Sequence, residues 1–313
     1  MIRAPQWVST QRGAMAALAL GVSVFSVQDP IIKSMSGAYP LMEALAIRGA
    51  FAMPIFTLLV LHAGGLGLLR RHRPRVLIGR GVLMMASYTA YYASLADLSL
   101  ATTASLWFTG PLFMVALSPL VVRERQGWRR WAAVVVGLSG VVLIAHPSNA
   151  TSWAVVLPVF AAVVYALGQL IVRRVGGGIP TPVISWQQNA VYTVFAISSG
   201  FLLAPLVHEG ATTGTVAFLL RPWELPTLHD AALLAICGPV AGIGSTLLVF
   251  AYRTAGPGAI GALEYTAMLW AVFWGWLVFD SLPTPLTLAG AALIIASGVY
   301  AVTRAAPAKP RDG

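Results

Sequence analysis

Apolar residues in this chain come in blocks of about twenty, separated by short segments rich in arginine, glycine and proline. A helix crossing the hydrocarbon core needs about 20 residues at about 1.5 Å each. By that rule the first half holds spans at roughly 13–33, 40–62, 76–96, 101–121 and 128–146. The second half holds spans at roughly 153–173, 181–207, 229–252, 257–279 and 285–304. Helices are expected because a backbone amide in lipid must find its partner within its own segment, and the alternation of a membrane β-barrel is absent. The pattern predicts an all-α polytopic membrane protein with ten transmembrane helices.

The basic residues test that count. Arg3, Arg12, Arg70, Arg71, Arg73, Arg75, Arg80, Arg123, Arg125, Arg129, Arg130, Arg173, Arg174, Arg253, Arg304, Lys309 and Arg311 all sort to one side. Lys33 and Arg221 sort to the other, and Arg48 falls inside a span. This split places both termini in the cytoplasm, in a multi-pass protein of the bacterial inner membrane.

Composition agrees: 58% of the 313 residues are hydrophobic, 10% are charged and mean hydropathy is +0.79. A soluble domain carries roughly 25% charged residues. The net charge of +10 sits between apolar blocks, so it argues for orientation in the membrane and against nucleic acid. The single cysteine, Cys237, permits no disulfide and no cysteine metal cluster, and reads as a small buried residue. The basic Met1–Arg12 segment precedes an apolar run longer than a signal-peptide core, so that run is expected to be a retained first helix.

The stretch Trp128–Ile144 resembles Pro285–Val302: Gly140-Val141 falls on Gly298-Val299, and Ala132-Ala133 on Gly290-Ala291. An apolar span ending in an acid precedes each, Glu124 in one half and Asp280 in the other. Two five-helix units follow, 1–148 and 149–313, and because five is odd the second is inverted relative to the first. Inverted repeats characterise carriers with a substrate site near the midplane between units.

Specific motifs add a family resemblance. They are Arg80-Gly81, Tyr92-Ala93, Ala101, Ala104, Pro111-Leu112-Phe113, Arg123-Glu124-Arg125 and Trp131 in the first half. Ala251-Tyr252-Arg253 and the run LEYTAMLWAVFWGWLVFDSLPT from Leu263 to Thr284 follow in the second. The chain thereby resembles the EamA-type carriers of the drug/metabolite transporter superfamily, in the branch of amino-acid exporters and S-adenosylmethionine carriers. It departs from the family at Asp280, usually glutamate, and at Ala262, often proline. The resemblance implies alternating access through a cavity built from both halves, no cofactor, and a small-molecule substrate. The carrier is expected as a monomer or homodimer in membrane lipid.

Ionisable and polar residues inside spans are candidates for function, because a charge at mid-membrane costs at least about 2.5–3.5 kcal/mol. Glu264, about 10 Å into the ninth span at helical rise, can take up a coupling proton or salt-link a cationic substrate group; the alternative is a packing hydrogen bond. Asp29, Lys33, Glu43 and Arg48 cluster at the outer ends of the first two spans, with Asp29 and Lys33 one turn apart. They are read either as a self-satisfied gate network or as a substrate site, with Arg48 the cation offered to a carboxylate. Tyr88 and Tyr92, with Met84 on the same face, Trp107, Tyr265 and the pair Trp270 and Trp274 could line an aromatic cavity or simply pack. Gln187, Gln188 and Asn189 after Trp186, and Gln169 beside Gly168, should each find a polar neighbour or the cavity. Trp128, Trp131, Trp153 and Trp223 read as interfacial belt residues. Pro30, Pro111 and Pro239 are expected to interrupt helices, and Gly238 and Gly242 to allow close helix contact.

There is no GxxxxGK[ST] loop and no HExxH, and no metal site is expected. Gly137-Leu138-Ser139-Gly140 fits an intramembrane protease motif, but His62, His72, His146, His208 and His229 all lie at span ends or in loops, away from that serine. Asn149-Ala150-Thr151 is read as a chance glycosylation sequon. The expected function is a secondary active transporter of a small polar metabolite, an amino acid or related compound, working as an exporter. An importer or exchanger of S-adenosylmethionine is the alternative, and an integral-membrane enzyme or a channel are the readings from other classes.

Overall fold

The computed structural model describes residues 11–72, 74–123, 126–145, 153–175, 178–202, 213–254 and 265–303. Glu264, Ala262, Glu124 and the 149–151 sequon lie outside the described residues. The described chain is helical, with no strand. Its helices are α1 (Gln11–Ser26), α2 (Gln28–Met35), α3 (Leu41–Ala63), α4 (Gly67–Arg71), α5 (Pro74–Ser94), α6 (Leu100–Trp107), α7 (Gly110–Val121) and α8 (Trp128–Ile144). They continue with α9 (Val156–Val175), α10 (Thr181–Leu202), α11 (Gly214–Leu220), α12 (Leu228–Thr254), α13 (Thr266–Phe279) and α14 (Pro285–Thr303).

Among the described residues, five segments are long and apolar enough to cross a membrane: Gly13–Met35, Leu41–Ala63, Leu100–Val121, Trp153–Ile171 and Leu228–Leu248. The helices α5 and α10 have the length, at 21 and 22 residues. They carry instead the polar side chains that build the site described below.

Local sequence sets the helix ends. Ser99 caps α6 by accepting the Thr102 N–H at 3.1 Å. Thr227 and Asp230 form a reciprocal cap on α12, the Asp230 N–H donating to Thr227 Oγ1 at 3.2 Å and the Thr227 hydroxyl to Asp230 Oδ2 at 2.8 Å. Thr284 opens α14 in the same manner through the Thr287 N–H. Two non-glycine residues among those described have positive φ, Arg123 (60°) and Asp280 (48°). Arg123 lies just after α7, and Asp280 caps the C-terminus of α13.

The prolines divide in effect. The first span breaks at Val27, with Pro30 in the first turn of α2, and the fourth breaks at Phe108–Thr109, just before Pro111. Pro239 does not interrupt its helix as expected: it lies within continuous α12. One missing hydrogen bond can be absorbed as a kink when neighbouring helices hold both flanks.

The helices pack in the following pairs. α1 packs on α12 and α5 on α9; α3 packs on α12 and α5 on α10; α7 packs on α9 and α1 on α13. α3 also packs on α10, α6 on α13, and α8 on α14. Small residues set the closest approaches. A Cβ on Gly238 would meet the Phe51 backbone carbonyl carbon at 2.6 Å, and one on Gly140 would meet the Gly290 carbonyl oxygen at 2.6 Å. Because Gly137 lies by Ser297 while Ile144 lies by Gly290, α8 and α14 run antiparallel. Trp128, Trp131, Trp153 and Trp223 remain exposed, as belt residues should.

Candidate functional site

The site is built on one stripe of α5. Arg80, Met84, Tyr88, Tyr91 and Tyr92 recur every three to four residues, so they share a face. Arg80 lies on the second turn, about 9 Å along the helix from Pro74, and is 6% exposed. Its NH1 donates to Gln188 Oε1 of α10 at 2.6 Å, while its Nε has no partner. Two turns on, Tyr88 sits beside Gln188. The Tyr88 ring stacks on Trp107 (6.0 Å, 26°) and meets the edge of Tyr192 at 6.2 Å. Trp107, the last residue of α6, also touches Tyr91 at 5.1 Å and Tyr165 of α9 at 5.0 Å. Met84 fills the space left by Gly168, which holds α9 against this stripe.

Arg48, 8% exposed on α3, enters the same cluster. Its guanidinium carbon lies 5.6 Å from the Tyr92 ring centre and 5.5 Å from that of Tyr192, and NH1 donates to the Tyr192 hydroxyl at 3.2 Å. Its Nε is unpartnered, and among the described residues no carboxylate pairs with it directly. The approach of α3 to α10 that places Arg48 here depends on its neighbour Gly49, where a Cβ would collide with Thr193, and on the bond from Asn189 Nδ2 to the Gly49 carbonyl at 3.0 Å.

Asp29 of α2 is close enough to Arg48 for charge to be felt, but its direct partner is the Tyr91 hydroxyl, which donates to Oδ2 at 3.0 Å. Preceding it at the helix break, Gln28 is fully buried with neither amide atom hydrogen-bonded. Cys237 of α12 is also fully buried and lies within electrostatic reach of Arg48 and Asp29. The lone thiol is therefore a wall of the site as well as the packing residue the sequence suggests.

The four charges read from sequence as either a gate network or a substrate site make no direct contact with one another. Lys33 donates to the Leu95 and Leu98 carbonyls at 2.5 and 2.7 Å and lies 5.3 Å over the Phe279 ring, closing off the C-terminal end of α5. Glu43 Oε2 accepts the Glu224 N–H at 3.2 Å. Around it, Tyr39 donates to Asp230 Oδ2 at 2.8 Å and Arg221 NH1 to the Ser36 carbonyl at 3.2 Å. Together these contacts pin the loop between α11 and α12 onto the α2–α3 corner. The reason is geometric: Asp29 and Lys33 share a face, and that face meets the end of α5, where a phenol and free carbonyls lie closer than the opposite charge.

The amides disperse. Gln188 joins Arg80; Gln187 Nε2 donates to the Leu69 carbonyl at 3.2 Å and leaves its buried Oε1 without a partner. Trp186 Nε1 donates to Thr57 at 2.9 Å. Gln169 is partly buried on α9 and, four residues from Tyr165, shares its face. Tyr265 packs on Phe108 at 5.3 Å against Gly298, and Trp270 packs with Ala14, Leu18 and Val22 of α1. Trp274 Nε1 donates to Ser26 at the break in the first span. Glu264, the sharpest single candidate from sequence, lies outside the described residues.

Arg80, Gln28, Tyr91, Tyr165 and Tyr192 are the members that sequence reasoning missed. Arg80 was sorted with the inner-side charges; the signal was available, because it opens the stripe that continues through Met84 and Tyr88. Tyr192 lies one turn beyond Gln188 and could have been read from that spacing. Among the described residues no group of three or more His, Cys, Asp or Glu is placed to hold a metal ion. What the cluster offers chemically is two buried guanidinium groups, phenols, indole faces and unsatisfied amide atoms, a donor-rich site for a small polar molecule.

Residues 11–146 match the EamA-like transporter family. The chain is 28% identical to a riboflavin transporter of Rhizobium johnstonii over 291 residues, covering 92% of this chain and 90% of that protein. It is 28% identical over 273 residues to the pseudopaline exporter CntI of Pseudomonas aeruginosa (87% and 89% covered). It is 23% identical over 280 residues to an S-adenosylmethionine uptake transporter of Rickettsia bellii (88% and 89% covered). The fold overlays one crystal structure with a TM-score of 0.61 at 18% identity, across 94% of this chain and 97% of that one. The first half of the chain thus matches the EamA-like transporter family, and nearly the whole chain is similar to proteins named as small-molecule transporters.

Proposed function

We propose that the protein is a secondary carrier of a small carboxylate-bearing metabolite of the amino-acid class, working by alternating access across the bacterial inner membrane. In this reading ten helices cross the membrane with both termini in the cytoplasm, as units 1–148 and 149–313 of opposite orientation. The helix neighbours support it. Exchanging each span of the first half with its counterpart in the second turns the α1–α12 contact into α5–α9, α3–α12 into α5–α10, and α7–α9 into α1–α13, and leaves α3–α10, α6–α13 and α8–α14 unchanged. The positive-φ residues Arg123 and Asp280 fall at matching places under the same exchange.

The observation that carries the substrate class is Arg48. A guanidinium buried between two tyrosine rings, bonded to a phenol and, among the described residues, paired directly with no carboxylate, leaves its strongest interaction for a ligand. Relatives of this chain are named for different cargoes, so the site's own charges decide between readings. S-adenosylmethionine, with a sulfonium and an ammonium against one carboxylate, would bring net positive charge to a cluster whose described part has two arginines and one aspartate. A neutral or acidic amino acid fits that charge better. A secondary carrier runs either way along the prevailing gradient, so the site's charge speaks to substrate and leaves export to the cell's gradients.

Counterflow in proteoliposomes with labelled amino acids and S-adenosylmethionine, at two pH values, tests this. Exchange of carboxylate-bearing amino acids whose apparent affinity Arg48→Gln weakens by about tenfold or more is the expected result. Exchange of S-adenosylmethionine alone, or exchange indifferent to Arg48→Gln, would contradict it.

A further inference from the structure

Arg80 presents a second, separate feature. It is as buried as Arg48, and among the described residues its Nε has no hydrogen-bond partner and its electrostatic neighbours are Tyr88 and Tyr165, neither of them an acid at neutral pH. Leaving a guanidinium in such surroundings without an anion is costly, and the usual relief is a pairing anion or water. Gln188 does not supply that charge. Its carbonyl accepts from Arg80 NH1 and it lies beside Tyr88, so it holds the two side chains together.

The two arginines are held from one helix. Arg80 bonds Gln188 and Arg48 bonds Tyr192, and these acceptors are four residues apart on α10, about 6 Å along its axis. Tyr88 stands between them and feels both charges. The aromatic wall of Trp107, Tyr165 and Tyr192 closes the side.

We propose that Arg80, with Gln188 and Tyr88, forms a second anion subsite, and that the preferred substrate carries two acidic groups spaced to reach Arg48 and Arg80 together, an α-amino dicarboxylic acid or a close relative. This deepens the carrier reading above and rests on it. Arg48 then takes one carboxylate as the common handle, and Arg80 discriminates between substrates that do and do not bring a second.

The test uses probe pairs that differ only in the second charge: labelled aspartate against asparagine, glutamate against glutamine, and 2-aminoadipate against its side-chain amide, each in counterflow with the full-length protein. The wild type is expected to favour at least one acid over its amide by about tenfold or more, the loss of one charge-assisted hydrogen-bonded partner. Arg80→Gln should bring that ratio close to unity while exchange of the amide persists, and Arg80→Lys should retain part of it. Gln188→Leu, which leaves the charge but frees its fork, should lower the ratio without abolishing exchange. Wild-type exchange that depends on Arg48 but treats every acid and its amide alike would overturn the second subsite and leave the carrier reading standing. An acid-to-amide ratio unmoved by Arg80→Gln would overturn it as well. Folded wild-type protein that exchanges none of these compounds and no monocarboxylate amino acid would overturn both.

Discussion

Replacing Arg48 separates binding from stability, and the structure says by how much. In the unliganded protein Arg48 gains one phenolic hydrogen bond, worth about 0.5–1.5 kcal/mol net, and two ring contacts of about 0.5–2 kcal/mol each. Against these stands the cost of a charge within the membrane, about 2.5–3.5 kcal/mol on the insertion scale. The terms nearly cancel, so Arg48→Gln should shift folding stability by no more than about 1–2 kcal/mol in either direction. Transport has no such compensation. A lost charge-assisted bond of about 1.5–3 kcal/mol weakens apparent affinity by about ten- to 150-fold. Arg48→Lys keeps the charge but cannot lie flat between Tyr92 and Tyr192 or fork onto a carboxylate, so it should fall between wild type and Arg48→Gln. Thermal unfolding in detergent, read by monodisperse elution, and counterflow KM in liposomes measure the two quantities on the same preparations. Arg48→Gln with unchanged KM and maximal rate would show that Arg48 does not bind substrate. So would a variant that fails to fold at all, since it would make Arg48 a strut and not a binding group.

Further tests address the packing and the rest of the site. Gly140→Val should destabilise by about 1–3 kcal/mol through overpacking at the α8–α14 crossing, whereas Gly127→Ala, with open space around it, should leave the melting temperature unchanged. Tyr91→Phe leaves Asp29 buried without its hydroxyl donor and should cost about 1–3 kcal/mol in the same unfolding assay; no loss would show that Asp29 finds another partner. The single cysteine gives a native probe: N-ethylmaleimide should label Cys237 slowly, and saturating amino-acid substrate should slow it further, while labelling indifferent to substrate would remove Cys237 from the site wall. Glu264→Gln is expected to flatten the dependence of transport on pH, and a variant that transports as wild type at every pH would remove the coupling role proposed for that residue.

How much of this was legible in the sequence follows from which forces were local. Lipid imposes apolar blocks of a set length, so an all-helical membrane protein could be read by counting, whereas the caps at Ser99, Thr227 and Thr284, though they depend only on chain neighbours, went unread. Pairs one turn apart on a helix were also readable: Tyr88 and Tyr92 do enter the cluster around Arg48. What could not be read was which face meets which helix. Asp29 and Lys33 looked like an ion pair because their spacing allowed it, yet α5 brought a phenol and two carbonyls into reach. Arg80 looked like an orientation signal because its position, near a span end, is shared by arginines that face water; only its burial against α9 and α10 distinguishes it. Gln28 carried no signal at all until the helix break next to it was visible.

A carrier needs a site that binds substrate and opens to one side at a time. Uptake of a labelled carboxylate-bearing amino acid into proteoliposomes, measured with and without the same unlabelled compound inside, tests that most directly. Saturation with external concentration and acceleration by internal substrate are the predicted result. Flux that rises linearly without limit and ignores what is inside would contradict it.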